Sequence, residues 1–223
     1  MTPTEEAKNF LKKRLNAEHH MTLSMREEMT YAAKEIISIA KKYNIPIGKL
    51  SSATDPIIQQ KIEAVIQRLI EALYNEVEDI CIQADEEQRN YILAFINMSI
   101  YGMTLSSRIT SWANKFIPEV KKMYDTKFFD TWSRIPIKTG APQGMDRLLR
   151  HTISRAWMES KKQSMMNKGA KYFSTHRGSS YPCATCDDEQ AKGIQPISMF
   201  SLPLHNNCCC YALFYDENQQ PIK

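Results

Sequence analysis

The sequence contains no stretch approaching the ~18 to 20 consecutive apolar residues that a membrane span requires. Its opening, MTPTEEAKNFLKKR, is too polar to act as the apolar core of a signal peptide. Both absences predict a soluble intracellular product with no membrane partner. Missing as well are H-E-x-x-H, a G-x-x-x-x-G-K-[ST] loop, G-x-G-x-x-G and G-x-S-x-G, so the metalloprotease, P-loop, dinucleotide-binding and α/β-hydrolase classes have no signature here. No internal repeat or low-complexity tract is present. Cysteine is scarce until late in the chain: of six, only Cys81 precedes residue 183, and it reads as a core residue.

What is present is mostly helical patterning. Thr2, Pro3 and Glu5 form an N-cap, a first-turn proline and the acid three residues after the cap, which predicts a capping-box helix to about His20. Met25, Met29, Ala32, Ala33, Ile36, Ile37 and Ala40 recur at helical spacing, predicting a second helix from about Leu23 to Tyr43 that stops at Asn44-Ile45-Pro46. Asp55-Pro56 opens a third, with an apolar stripe of Ile58, Ile62, Val65, Ile66, Leu69, Leu73, Val77 and Ile80. Further helices are expected from about Glu86 to Tyr101 and from about Ser106 to Tyr124, the latter broken or kinked at Pro118. Phe128 to Gly144 carries Pro136, Gly140, Pro142 and Gly144 and reads as a connection. Helical periodicity returns through Leu148, Leu149, Ile153, Ala156 and Trp157 and ends near Gly169. Beyond Tyr172 the pattern predicts turns with two or three short strands, including Tyr211 to Tyr215. Trp112, Trp132 and Trp157 are expected in the core. The fold class expected is mainly α: a helical bundle or extended helical arms with a small C-terminal α+β cysteine-rich, zinc-knuckle-like cap.

Charge divides the chain into three. Residues 1–102 carry 12 Lys/Arg against 15 Asp/Glu, residues 103–171 and on to 175 carry 14 against 5, and the remainder 3 against 5, so a net charge of +4 conceals a strongly basic middle. The expected organisation is 1–102 N-terminal helical region, 103–171 basic helical region and 172–223 cysteine-rich cap. Arg147, Arg150, Arg155, Lys161 and Lys162 mark the basic helix. Such a block is either a docking face for nucleic acid or an acidic protein, or a solvated helical surface.

Chemistry concentrates in Cys183-Ala-Thr-Cys186 and, eighteen residues on, His205-Asn-Asn-Cys208-Cys209-Cys210. Two cysteines separated by two residues can direct both sulfurs at one tetrahedral ion, and a second knuckle completes four ligands. Thiolate-rich sites with a histidine suit structural zinc. Cys183 and Cys186 leave His205, Cys208, Cys209 and Cys210 for two places. In an extended stretch Cys208 and Cys210 share a side, which makes Cys209 the expected non-ligand. His205 either binds or supports. The bland alternative is a set of free or pairable thiols.

The residues argue against two enzymatic readings. Pro182-Cys183-Ala-Thr-Cys186 matches half of a zinc-deaminase signature, but the positions two past His19, His20, Cys81, His151 and His176 are Met21, Thr22, Gln83, Ile153 and Gly178, so the catalytic glutamate is not supplied. His205-Asn206-Asn207 offers a histidine and asparagine as a nuclease would, yet adjacent residues rarely serve one active centre. No enzyme activity is expected.

Ile153-Ser-Arg155-Ala, Gly169, Cys183-Ala-Thr-Cys186, Gly193 and Leu202-Pro-Leu-His205-Asn-Asn-Cys208-Cys-Cys210 occur in an order that resembles the phage minor head proteins related to the F protein of phage Mu. The resemblance covers about residues 145 to 215, with a weaker echo from 105 to 145. Asn206 stands where proline is usual and Cys209 where arginine is usual. The resemblance implies a non-catalytic, portal-associated protein acting in head morphogenesis or in DNA packaging or ejection. Its location would be the virion, and the bacterial cytoplasm during assembly. Its partners would be the portal, other head proteins and the backbone of packaged DNA, which attracts Lys and Arg through counterion release. A zinc-stabilised nucleic-acid-binding module is the alternative.

Overall fold

In a computed structural model the described residues are 2–52, 54–100, 102–125, 137–138 and 140–223. Trp132 and most of the expected connection, including Phe128 and Pro136, lie outside them. The fold is mainly α with a small antiparallel sheet near the C-terminus. In chain order the elements are α1 (Pro3–Lys42), α2 (Pro56–Ile82), α3 (Arg89–Ile96), α4 (Leu105–Phe116), α5 (Val120–Asp125), α6 (Gly140–Asn167), β1 (Tyr172–Arg177), α7 (Ala184–Ala191), β2 (Ile194–Pro196) and β3 (Cys210–Tyr215).

The helix signals are physical ones. Thr2 and Glu5 form the reciprocal capping box, Glu5 N–H donating to Thr2 Oγ1 at 3.2 Å and Thr2 N–H to Glu5 Oε2 at 2.7 Å. Where a boundary was expected near residues 20–23, α1 runs on unbroken. Nothing in His20-Met21-Thr22 breaks a helix, and Met21 continues the buried stripe. Asp55 caps α2, accepting from the amides of Ile57 and Ile58. Pro118 falls in a 3-10 turn, Ile117–Glu119, between α4 and α5, which realises the expected break.

A second departure lies at α6, which begins at Gly140 rather than after Gly144. Pro142 is tolerated because first-turn amides have no intrahelical acceptor. The Ala141 amide donates instead to the Glu119 carboxylate at 2.9 and 3.0 Å. Gly140 takes φ +76°, and a Cβ there would meet Glu119 Oε2 at 2.5 Å. The other end closes at Gly169, φ +95°, where Ala170 N–H donates to Met165 O and Gly169 N–H to Met166 O, both at 2.9 Å.

Two compact units emerge. The second comprises His20–Asp79 and Asn97–Leu149. Its buried faces are the α1 stripe from Met21 to Ala40, the α2 stripe from Ile58 to Val77, and Leu105, Ile109, Ala113 and Phe116 of α4. Met21, Met25 and Met29 are wholly inaccessible, the gap-filling use of methionine. Trp112 is half-buried beneath the Lys115 ammonium, 4.4 Å from the ring centroid.

The first unit comprises Met1–His19, Ile80–Ile96 and Arg150–Lys223. Its sheet has the order β2-β1-β3, with Phe173 opposite Gln195 and Phe214. Period-two alternation sorts β3 between two apolar clusters. Cys210, Ala212 and Phe214 join Phe173, Met158 and Met165, while Tyr211 and Leu213 face Ala7, Leu11 and Leu15 of α1. Phe200 bridges the first cluster, 5.1 Å from Phe173 and 5.8 Å from Phe214. Trp157 and Cys81 are buried in this unit.

Candidate metal centre

Two short knuckles bring the chemistry together. In the first, Cys183 is the N-cap of α7 in extended backbone and its carbonyl accepts from the amides of Cys186 (3.1 Å) and Asp187 (3.0 Å). In the second, Asn207 adopts φ +63° and lets the Cys208 amide return to the His205 carbonyl at 3.2 Å. Both knuckles therefore close the same way: the amide three residues on donates back to the carbonyl of the first ligand candidate. Helix α7 itself was not expected, because Ala-Thr-Cys-Asp-Asp-Glu-Gln-Ala carries no apolar period.

The side chains converge. His205 Nε2 stands 3.2 Å from Cys183 Sγ and 3.1 Å from Cys186 Sγ. The ring is oriented by its other nitrogen, Nδ1–H donating to the Asn206 carbonyl at 2.7 Å, which leaves the Nε2 lone pair facing the sulfurs. Cys183, Cys186 and His205 form one group, and Cys186, Cys208 and Cys210 a second, with the donor atoms in each within 4.8 Å of one another. Cys186 is common to both. These groups can hold a metal ion. Cys209 belongs to neither, and its thiol points to the Asn207 carbonyl at 3.6 Å.

Environment divides the thiols. The Cys210 thiol donates to Cys208, holding the Cys208 pKa down to about 5 against its burial, and the same bond pushes Cys210 up. The Cys186 amide lowers Cys183, while burial pushes Cys186 up to about 12. The Asn206 carbonyl raises His205. Cys186, Cys208 and Cys210 are buried against Phe173, Leu202 and Phe214, so water has little access to that side of the cluster.

Compared with known protein families, with curated proteins and with solved structures, the chain matches none.

The basic helix is less open than its charge suggests. Arg150 reaches Glu18 at 3.3 Å, Lys161 reaches Glu6 at 3.0 Å, and Lys162 reaches Glu159 at 3.1 Å, while the Arg155 guanidinium lies 5.2 Å from the Phe95 ring centroid. All four are half-buried. Arg147, in the second unit, is exposed.

Sequence reading passed over two residues of α1. Arg14 and Glu18 are almost inaccessible, at 0% and 1% exposure, and Arg14 Nη2 donates to the carbonyl of Cys208. A signal existed. Ala7, Leu11, Arg14, Glu18, Met21 and Met25 fall at alternating spacings of four and three, so both charged residues occupy positions of the apolar stripe.

Proposed function

We propose that this chain is a non-enzymatic structural protein of the phage minor head type related to the Mu F protein, with its C-terminal cap closed by one structural zinc ion. The observation that carries the reading is the His205 imidazole, anchored through Nδ1 and turned with Nε2 onto the sulfurs of Cys183 and Cys186. These are the histidine of the closing motif and the two cysteines of the preceding C-x-x-C. Three thiolates and an imidazole on a tetrahedral ion leave no open position for substrate, which makes the site a staple rather than a catalyst. Cys183, Cys186 and His205 supply three donors, and the Cys208/Cys210 pair supplies the fourth.

In this reading the protein acts with the portal and other head proteins in assembly or in DNA packaging or ejection. It resides in the phage head, and in the bacterial cytoplasm while heads are being built. Where it meets packaged DNA it does so through phosphates. The alternative of a free-standing nucleic-acid-binding module draws on Arg147, Arg150, Arg155, Lys161 and Lys162; Arg147 is exposed, while the other four lie against Glu18, Phe95, Glu6 and Glu159. No helix among the described residues is long and apolar enough to cross a membrane.

The test is mass spectrometry of gradient-purified phage or prophage particles from the source organism. Recovery of this chain with the portal, in mature heads or assembly intermediates, supports the head-protein reading, and reproducible absence from both rejects it. Native mass spectrometry of the purified chain tests the zinc separately: one ion per chain supports the staple, and none rejects it.

A further inference from the structure

Among the described residues, Arg14 is the largest side chain with no solvent exposure. Its Nη2 donates to the Cys208 carbonyl, and its Nε meets Glu18 Oε1 only at ion-pair distance, 3.4 Å. Its Nη1 has no hydrogen-bond partner among the described residues. Glu18, equally inaccessible, also pairs with Arg150 at 3.3 Å. A buried guanidinium is tolerated only where its charge and its donors are answered; Glu18 answers the charge, and the Cys208 carbonyl takes a donor.

The same contact selects a ligand. The Cys208 carbonyl gripped by Arg14 belongs to the last residue of the His205 knuckle, and that knuckle closes by the same hydrogen bond as the Cys183 knuckle. Cys210 lies beyond the turn, already in β3.

We infer that Arg14 is the positioning residue of the metal centre: through the Cys208 carbonyl it fixes the second knuckle so that Cys208 supplies the third thiolate of a three-thiolate, one-imidazole site. The inference rests on the zinc reading above. Outer-shell partners that orient ligands are commonly worth about 10- to 100-fold in metal affinity.

The experiment uses the full reduced chain, stripped of metal and titrated with zinc against a chromophoric chelator, with cobalt(II) as the spectroscopic probe of the donor set. Arg14→Met should bind one zinc with affinity lowered roughly 10- to 100-fold, and Arg14→Lys should recover part of the loss. Cys208→Ser should weaken binding far more than Cys210→Ser. Cobalt spectra of the parent should report three sulfurs and one nitrogen. Metal-free helix content, compared between parent and variant, separates positioning from misfolding. Should Arg14→Met fail to fold, Arg14→Lys, which keeps the buried charge but lacks the planar guanidinium, takes its place and should still weaken zinc binding. Unchanged affinity in the variant that folds, a four-sulfur spectrum, or a greater loss in Cys210→Ser than in Cys208→Ser would overturn the inference while leaving the zinc staple standing. Failure of the parent to bind either metal would remove the staple itself.

Discussion

His205 Nε2 stands 3.1 Å from Cys186 Sγ, although they are nineteen positions apart in the chain and both are carried on loops or a short helix rather than on the sheet. Loops that pack a reactive pair so closely need a local constraint. Zinc is worth about 10 to 16 kcal/mol to small peptides, but this cap also has its own apolar cluster around Phe173, Phe200 and Phe214. Chelation should therefore loosen the cap without unfolding the chain. Hydrogen exchange is expected to speed up in Cys183–Ala191 and around Cys208 on adding a strong zinc chelator, with α2 and α4 unchanged. Uniform acceleration across both units, or no acceleration in the knuckles, would contradict this.

Much of this was legible because it is periodic. The alternation of Cys208 and Cys210 against Cys209 follows from the two-residue repeat of extended chain, and the α2 stripe from the helical repeat. Other features depend on partners that sequence does not display. Pro142 reads as a breaker until Glu119 is seen accepting the Ala141 amide. Helix α7 has no stripe because its one buried face is made by Cys186 and Glu189. The basic residues of α6 were countable, yet Glu6 and Glu18 lie over a hundred positions away in the chain. Arg14 and Glu18 could have been noticed as charged intruders in an apolar stripe; their connection to Cys208 could not.

Gly144 illustrates how space overrides propensity. In the interior of a helix, alanine is favoured over glycine by about 1 kcal/mol. Here a Cβ would fall 2.3 Å from the ring of Trp112. Overpacking of this kind costs about 1 to 3 kcal/mol, so Gly144→Ala should lower stability or leave it level, seen as a reduced urea midpoint. A clear rise in the midpoint would mean that Trp112 moves aside freely.

Trp157 closes a helix end that is not its own. Its Nε1–H donates to the Ile80 carbonyl at 3.1 Å, and Ile80 lies in the last turn of α2, where carbonyls lack intrahelical donors. Trp157→Phe keeps most of the apolar contact and strands that acceptor, an expected loss of about 1 to 3 kcal/mol. Trp157→Ala adds a cavity and should cost about 3 to 5 kcal/mol. Equilibrium denaturation of both variants checks the order; equal losses would assign the residue's whole contribution to packing.

The Tyr91 hydroxyl donates to Glu159 Oε1 at 2.8 Å. Burial, and then this bond to a carboxylate, push the Tyr91 pKa up to about 12 from an ordinary 10. Because the folded state holds the proton more tightly than the unfolded chain, the stabilising contribution is complete below pH 10 and is lost as pH rises toward 12. Tyr91 is partly exposed, so solvent screening keeps that contribution small, and the titration is the sharper readout. Phenolate absorbance should show a tyrosine that resists ionisation through pH 11 and is missing from Tyr91→Phe. Glu159→Gln removes the negative acceptor and should bring that tyrosine back toward 10, though not fully, since desolvation is the larger cause. If Glu159→Gln left the titration unchanged, the bond to the carboxylate would not be formed in solution, and burial alone would hold the proton.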